Sequence, residues 1–253
     1  MRVALLGCGA IGSEVARGID EGKAGAVELL WVYDKTPEKA LKLSASLRSR
    51  PRPAESVDQI LQDRWVELVV ETASQEAVRE FSLKVLEAGK DLLILSTGAL
   101  TEPNLLQRIM EACSRLGRRV YVPSGAILGL DALKAHQLAG VEEVELTTVK
   151  FGEKQGVLFE GGVQEAVRLF PRSINVAGTL ALVVGADKLR VRVVADPSAK
   201  QTVHEVKVKG KLGSFHCRIE NFPFEQNPLS SKLAAYSVLA TLKELNQNLR
   251  VGS

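Results

Sequence analysis

An α/β fold is predicted, with a doubly wound parallel sheet in the first half of the chain and a second, α+β domain after it. Three observations predict it. An apolar run at the start, Val3 to Leu6, passes directly into a glycine-rich turn and then a helical pattern. Short apolar segments next alternate with amphipathic ones as far as Val122, the pattern of parallel strands joined by crossover helices. Beyond Pro123 the strands lengthen and alternate polar with apolar residues, as half-buried strands do. The first domain is assigned to residues 1–122 and the second to 123–228, with a closing helical segment, 229–253, rejoining the first.

The opening turn reads Gly7-Cys-Gly-Ala-Ile-Gly12, after a strand and before a helix, Ala10 to Ile19. In that context G-x-G-x-x-G is the dinucleotide fingerprint of a Rossmann-type domain. Gly7 permits the tight turn, Gly9 lets backbone approach a pyrophosphate, and Gly12 lets helix and strand pack closely. The helix start at Ala10 and Ile11 offers free N–H groups to phosphate. The next strand, Val27 to Tyr33, ends in Asp34, about 20 residues past the glycines, where a ribose hydroxyl acceptor belongs. A carboxylate there repels a 2′-phosphate, which favours NAD. Lys35 beside it softens the repulsion and leaves NADP as the alternative.

The remaining elements follow in order. Thr36-Pro37 reads as an N-cap with proline at the first helical position, opening a helix to about Leu47. Arg50-Pro51-Arg52-Pro53 breaks the chain before a short helix, Val57 to Leu61. Val66 to Val70 is a buried strand. Ser74 caps a helix whose Val78, Phe81, Val85 and Leu86 share a face, and Gly89 stops it. A strand at Leu92 to Leu95, a helix from about Asn104 to Leu116 and a strand at Val120 to Val122 complete the first half. The later strands are Glu143 to Phe151, Val157 to Glu160, Arg190 to Ala195, Thr202 to Lys209 and Ser214 to Asn221. The last two flank Gly210-Lys-Leu-Gly213 as an antiparallel hairpin. Helices fall at Val163 to Phe170, at Asn175 to Val184 and at Ser231 to about Leu245.

Composition excludes several classes. The net charge is +3 and no Lys/Arg cluster is interleaved with aromatics, so no nucleic-acid partner is expected. No apolar run approaches the ~18 residues of a membrane span. The strand at the amino terminus leaves no room for a signal peptide, and a cytoplasmic location is expected. Cysteines 8, 113 and 217 lack metal or disulfide spacing and read as small buried hydrophobes, so neither a metal site nor a thiolate nucleophile is expected.

Candidate chemistry belongs at the carboxyl ends of the parallel strands. Glu71-Thr-Ala-Ser74 follows one strand and Leu95-Ser-Thr-Gly98 the next, so Ala73, Ser74, Ser96, Thr97 and Gly98 are candidates to border a nicotinamide ribose. The alternative is that both are ordinary strand-to-helix turns. Of the three histidines, His204 shares the apolar face of its strand with Val206 and Val208, whereas His216 lies on the solvated face and His136 near a helix end. An inward histidine is either a satisfied core residue or an acid–base catalyst. Asn175 reads first as an N-cap, with a ligand-binding amide as the alternative.

The chain resembles the L-aspartate dehydrogenases of bacterial and archaeal type over nearly its whole length. The likeness rests on Gly7-Cys-Gly-Ala-Ile-Gly12, Glu71-Thr-Ala-Ser-Gln-Glu-Ala-Val78, Leu95-Ser-Thr-Gly98, Pro123-Ser-Gly-Ala-Ile127, Gly129-Leu-Asp-Ala-Leu133, Phe159-Glu-Gly161, Phe170-Pro171 with Asn175-Val-Ala177, and Ala195-Asp-Pro197 with His204-Glu205. The resemblance implies oxidation of L-aspartate by NAD or NADP, through iminoaspartate, to oxaloacetate and ammonia. It implies a catalytic role for His204 and cofactor contacts at Ala126 and Asn175. It also implies a homodimer formed through the second domain, a final helix packed on the nucleotide domain, and a product able to feed NAD biosynthesis. Two positions depart from the family pattern. Thr202 stands where Asn is common, and Asn227-Pro-Leu-Ser-Ser231 carries Leu229 in place of a lysine. Two other functions are weighed against this one. A reductase of another amino-acid-derived imine, of the dihydrodipicolinate reductase kind, would need a basic substrate signature that is not evident. An NAD-sensing regulator would need a DNA-binding helix pair or basic arm, and neither is found.

Overall fold

The computed structural model describes residues 1–171, 174–225, 227–249 and 251. Two compact units form, one from Met1–Ala99, Pro103–Pro123 and Ala235–Val251, the other chiefly from Ser124–Ala234.

In the first unit the chain runs β1 (Arg2–Leu6), α1 (Ala10–Asp20), β2 (Glu28–Tyr33), α2 (Pro37–Ser46), β3 (Arg52–Pro53), α3 (Val57–Gln62), β4 (Leu68–Glu71), α4 (Gln75–Glu87), β5 (Asp91–Ile94), α5 (Pro103–Leu116) and β6 (Val120–Tyr121). The six strands pair in parallel in the order β3-β2-β1-β4-β5-β6. This is the doubly wound order, and its direction of growth reverses between β1 and β4, which opens a crevice at their carboxyl ends. Val3, Ala4 and Leu5 of β1, Val69 and Val70 of β4, and Leu93 and Ile94 of β5 are fully buried. Unbroken apolar runs of this kind suit strands covered on both faces.

Two local expectations change. Arg50 to Pro53 is more than a chain break, because Arg52 and Pro53 pair with Trp31 and Val32 as the edge strand β3. Proline is tolerated there because an edge strand can spare a backbone donor. Thr36 does not cap α2 with its side chain. Its N–H instead donates to Asp34 Oδ1 at 2.9 Å.

The second unit contains α6 (Leu130–Ala139), β7 (Val141–Phe151), β8 (Gly156–Gly162), α7 (Val163–Leu169), α8 (Asn175–Val184), β9 (Leu189–Asp196), β10 (Thr202–Gly210), β11 (Gly213–Asn221), β12 (Pro223–Phe224) and β13 (Asn227–Ser231). Its five-stranded sheet has the order β11-β10-β7-β9-β8. The β7–β9 pair is parallel and the other pairs are antiparallel. Val144 and Leu146 of β7, Val191 and Val193 of β9, and Val206 and Val208 of β10 turn one face to α6, α7 and α8 and form the core there.

The β12–β13 hairpin was not anticipated, and it takes the first residues of the expected closing segment. The last helix, α9 (Lys232–Leu245), follows it. Residues 250, 252 and 253 of that segment lie outside the described residues. Ala235, Val238, Leu239 and Leu242 are buried. A Cβ at Gly18 of α1 would stand 2.3 Å from Leu239 Cδ1, so the Leu239 side chain of α9 packs directly on that glycine.

Candidate active site

At the carboxyl end of β1 the glycine loop is shaped by sterics. Gly7 has φ +98, and a Cβ there would lie 2.7 Å from Ala73 Cα. At Gly12 a Cβ would lie 1.9 Å from the Gly7 carbonyl oxygen, which holds α1 tight against the loop. Gly9 differs, since a Cβ there would meet nothing within 4 Å. The protein itself does not demand glycine at that point, and open space beside bare backbone is what a pyrophosphate requires. Gly9 is also the N-cap of α1 and provides no side-chain cap. The first N–H groups of the helix, at Ala10, Ile11 and Gly12, therefore have no intrahelical acceptor. Positive dipole and donors point the same way, and the loop fits a dinucleotide phosphate.

Asp34 fastens this loop to β2. Its Oδ2 accepts from Cys8 N–H at 2.8 Å and its Oδ1 from Thr36 N–H at 2.9 Å. Each oxygen retains a lone pair for a ribose hydroxyl. Burial, with Asp34 adding to it, pushes the Cys8 thiol up to about 12, so it is no nucleophile near neutral pH.

The loops after β4 and β5 are tied together by Glu71, a residue that no periodicity or turn signal in the sequence marks. The residue is 2 % exposed. Its Oε1 accepts from Ala73 N–H at 2.7 Å, Ser74 N–H at 2.9 Å and Ser96 Oγ–H at 2.8 Å. Its Oε2 accepts from Leu95 N–H at 3.2 Å and Ser96 N–H at 2.9 Å. Burial raises its pKa, and the donated hydrogen bonds oppose that rise. The five candidates on these loops are not equivalent. Ser96, Thr97 and Gly98 are buried, with the Ser96 hydroxyl spent on Glu71, while Ala73 and Ser74 are exposed. The Ser74 side chain caps α4 by accepting from Ala77 N–H at 3.2 Å.

In the second unit His204 is 5 % exposed on the helix-covered face of β10. Its Nδ1 lies 3.0 Å from Thr148 Oγ1 on the neighbouring strand β7. Burial lowers its pKa from 6.5 to about 4, so the ring is neutral at physiological pH. Thr148 itself is 1 % exposed. Asn221, at the end of β11 opposite Thr202, donates from Nδ2 to the Ala126 carbonyl at 3.3 Å and accepts from Ser231 Oγ–H at 2.8 Å. Ala126 thus joins this polar end of the sheet through its backbone. Asn175 is the first helical residue of α8, and the N-cap is Ile174, so the expected capping role does not hold. The Leu229 side chain lies outside the described residues. His216 is exposed, 3.7 Å from Glu205.

Sequence reasoning missed Thr148, Lys150 and Asn221 as well as Glu71. The signal was present in β7, where Val144, Leu146, Thr148 and Lys150 share the core-facing register and the apolar period turns polar.

The depressed pKa of His204 has a testable effect on stability. The unfolded chain binds the proton first as pH falls, because its histidine titrates near 6.5 and the folded one near 4. The contribution is fully present above pH ~6.5 and is lost as pH falls through ~4, a change of about 3 kcal/mol. Urea unfolding at pH 7 and pH 4.5 is expected to differ more for the parent protein than for His204→Gln. Equal differences would mean that the ring is not desolvated.

Among the described residues no group of side chains suits a metal ion, and no helix is long and apolar enough to cross a membrane.

Residues 7–123 match the family profile described as homoserine dehydrogenase, NAD binding domain, and residues 131–245 match that described as aspartate dehydrogenase, C-terminal. The chain is 38 % identical to an L-aspartate dehydrogenase of Methanosarcina acetivorans, with 100 % of each chain covered. It is 39 % identical to one of Methanothermobacter thermautotrophicus, with 100 % of this chain and 99 % of the relative covered. The crystal structure of aspartate dehydrogenase from Thermotoga maritima superposes with a TM-score of 0.83 at 32 % identity, covering 100 % of this chain and 99 % of that one. Two profiles met in the right order, and relatives matched from end to end, place the chain in the L-aspartate dehydrogenase family.

Proposed function

We propose that the protein oxidises L-aspartate with NAD to iminoaspartate, which water hydrolyses to oxaloacetate and ammonia, and that the reaction is reversible. The observation that carries this reading is the full-length similarity to L-aspartate dehydrogenases. The roles proposed for individual residues rest on the glycine-loop geometry and, for Ala126, Asn175 and His204, on the resemblance to the family. Gly7, Gly9, Ala10, Ile11 and Gly12 hold the pyrophosphate, and Asp34 accepts from the adenosine ribose. Backbone at Ala73, Ser74, Ser96, Thr97 and Gly98 borders the second ribose, and Ala126 and Asn175 supply further cofactor contacts. When bound, the nicotinamide supplies the acceptor for the two electrons and the hydrogen that leave Cα.

The chain's own task is proton management. His204 Nδ1 and Thr148 Oγ1 lie 3.0 Å apart, and we assign the tautomer in which Nδ1–H donates to the hydroxyl oxygen and the Nε2 lone pair is bare. Nε2 takes a proton from the substrate ammonium, because a neutral amine lone pair drives the Cα hydrogen out. The two substrate carboxylates raise the proton affinity of the buried ring as they arrive, so it becomes a stronger base only in the complex. After releasing that proton to solvent water, His204 removes one from the water that attacks the imine carbon. The C–O bond forms, the ring returns this proton to the amine nitrogen, and the C–N bond breaks as the hydroxyl gives its proton up and becomes the carbonyl, releasing ammonia.

The test is a screen of L-aspartate, other amino acids, and 2-oxo acids with ammonia, each against NAD and NADP. L-Aspartate with NAD is the expected pair. Preference for NADP would remove the role given to Asp34. Turnover of a different amino-acid-derived imine, as in the dihydrodipicolinate reductases, would replace the substrate.

The homodimer is proposed to form through the sheet face turned away from α6, α7 and α8. There Glu145 is in register with Lys207 and Arg190, and Val149 with Val203 and Val194. The apolar row gives each protomer a patch that can meet its own copy across a two-fold axis. Light scattering on the purified protein reads the mass directly.

A further inference from the structure

We propose that Lys150 is the residue that binds a substrate carboxylate in this protein, a step that rests on the dicarboxylate reading above and adds the cation it lacks. Lys150 occupies the core-facing register of β7, two residues beyond the Thr148 that touches His204. Two residues along a strand is a step of ~7 Å. A four-carbon dicarboxylate with its amine at the imidazole spans that step when the flexible lysine stem closes the remainder.

The surroundings of the ammonium support this. Lys150 is half-buried, and its Nζ sits 4.3 Å from the centroid of the Phe170 ring, whose edge meets Phe159. Its neighbour across β9 is Ala195, and residue 202, on the His204 face of β10, is threonine. None of these is an anion. Elsewhere on this sheet several charged side chains pair: Arg190 with Glu160, Lys207 with Glu145, and Arg218 with Glu205. No ion pair or hydrogen bond reaches the Lys150 ammonium among the described residues. Burial alone moves its pKa, downward, with no acidic group pulling the other way. An aromatic face replaces only part of the lost hydration of an ammonium. A cation held partly out of water, on the same face as a neutral imidazole and without a counter-charge, is built to receive an anion.

The variants are Lys150→Met, which keeps the packing on Phe170, and Lys150→Arg, which keeps the charge. Thermal melts first establish that both fold. On the NAD-loaded protein, calorimetric titration with succinate and with L-aspartate is expected to weaken roughly 10- to 100-fold in Lys150→Met and to recover in part in Lys150→Arg. The KM for L-aspartate should rise by a similar factor, with a much smaller change in kcat and none in NAD affinity. Equal dicarboxylate binding by parent and Lys150→Met would overturn the proposal, as would a fall in kcat at constant KM. Absence of succinate binding to the parent protein would overturn it too. A parent that binds succinate through Lys150 yet does not oxidise L-aspartate would leave the carboxylate site standing and sink the proposed reaction instead.

Discussion

His204→Ala is expected to lose roughly 10²- to 10⁴-fold in kcat for L-aspartate oxidation, the usual worth of a positioned acid–base group. NAD affinity should stay near that of the parent, because the nucleotide loop belongs to other elements. The variant leaves a cavity and strips Thr148 of its 3.0 Å partner, so some loss of stability will accompany the change. His204→Gln separates the two effects, since it nearly fills the space and offers Thr148 a polar partner but cannot exchange a proton near pH 7. Steady-state kinetics with equilibrium NAD binding on both variants is the measurement. Turnover within a few-fold of the parent in either one removes the ring from the mechanism. The low intrinsic pKa adds a finer expectation. The acid limb of kcat/KM, which reports the free enzyme, should lie below that of kcat, because bound carboxylates raise the pKa of the ring.

Glu71→Ala carries the second large effect. Removing this carboxylate leaves the N–H groups of Ala73, Ser74, Leu95 and Ser96 and the Ser96 hydroxyl without their acceptor. The Leu95 and Ser96 donors are buried, and each left unpaired costs about 1–3 kcal/mol, whereas water can reach the Ala73 and Ser74 N–H groups, so a net loss of ~3–5 kcal/mol is expected. For a chain of this size that is a fall in melting temperature of roughly 10 °C. NAD binding should weaken as well, because both loops that border the proposed ribose site lose their common anchor. Glu71→Gln retains an acceptor at one oxygen and turns an amide NH2 toward backbone donors at the other, so it should fall between alanine and the parent. A melt within 2 °C of the parent for Glu71→Ala would show that the loops hold their shape unaided.

These two residues mark how far the sequence could be read. The β1 strand, the glycine loop, Asp34 and the helix that follows are coded within a few tens of residues, so periodicity and turn chemistry expose them. The hairpin of β10 and β11 is equally local, and strand alternation placed His204 inward and His216 outward. Edge strand β3 escaped because two residues, one of them proline, carry no strand signal of their own. The β12–β13 pair is too short to show a period. Glu71 stood in a quoted motif, but a carboxylate after a strand reads as solvated until the five donors around it are seen. The period of β7 puts Thr148 and Lys150 on its inner face, but only cross-strand register brings Thr148 to His204, and register between β7, β9 and β10 is a long-range property.

That register also governs how the chain is born. The central strand β7 pairs only with β9 and β10, both made later than itself. While the nascent chain leaves the ribosome, both edges of β7 stay open until residues 189–210 have emerged. Long-range pairing of this sort is slow, and open edges invite misassembly. Glu142, Glu143, Glu145 and Lys150 interrupt its apolar residues. Those charges can act as gatekeepers during the wait, keeping a lone strand from joining its neighbours on the polysome.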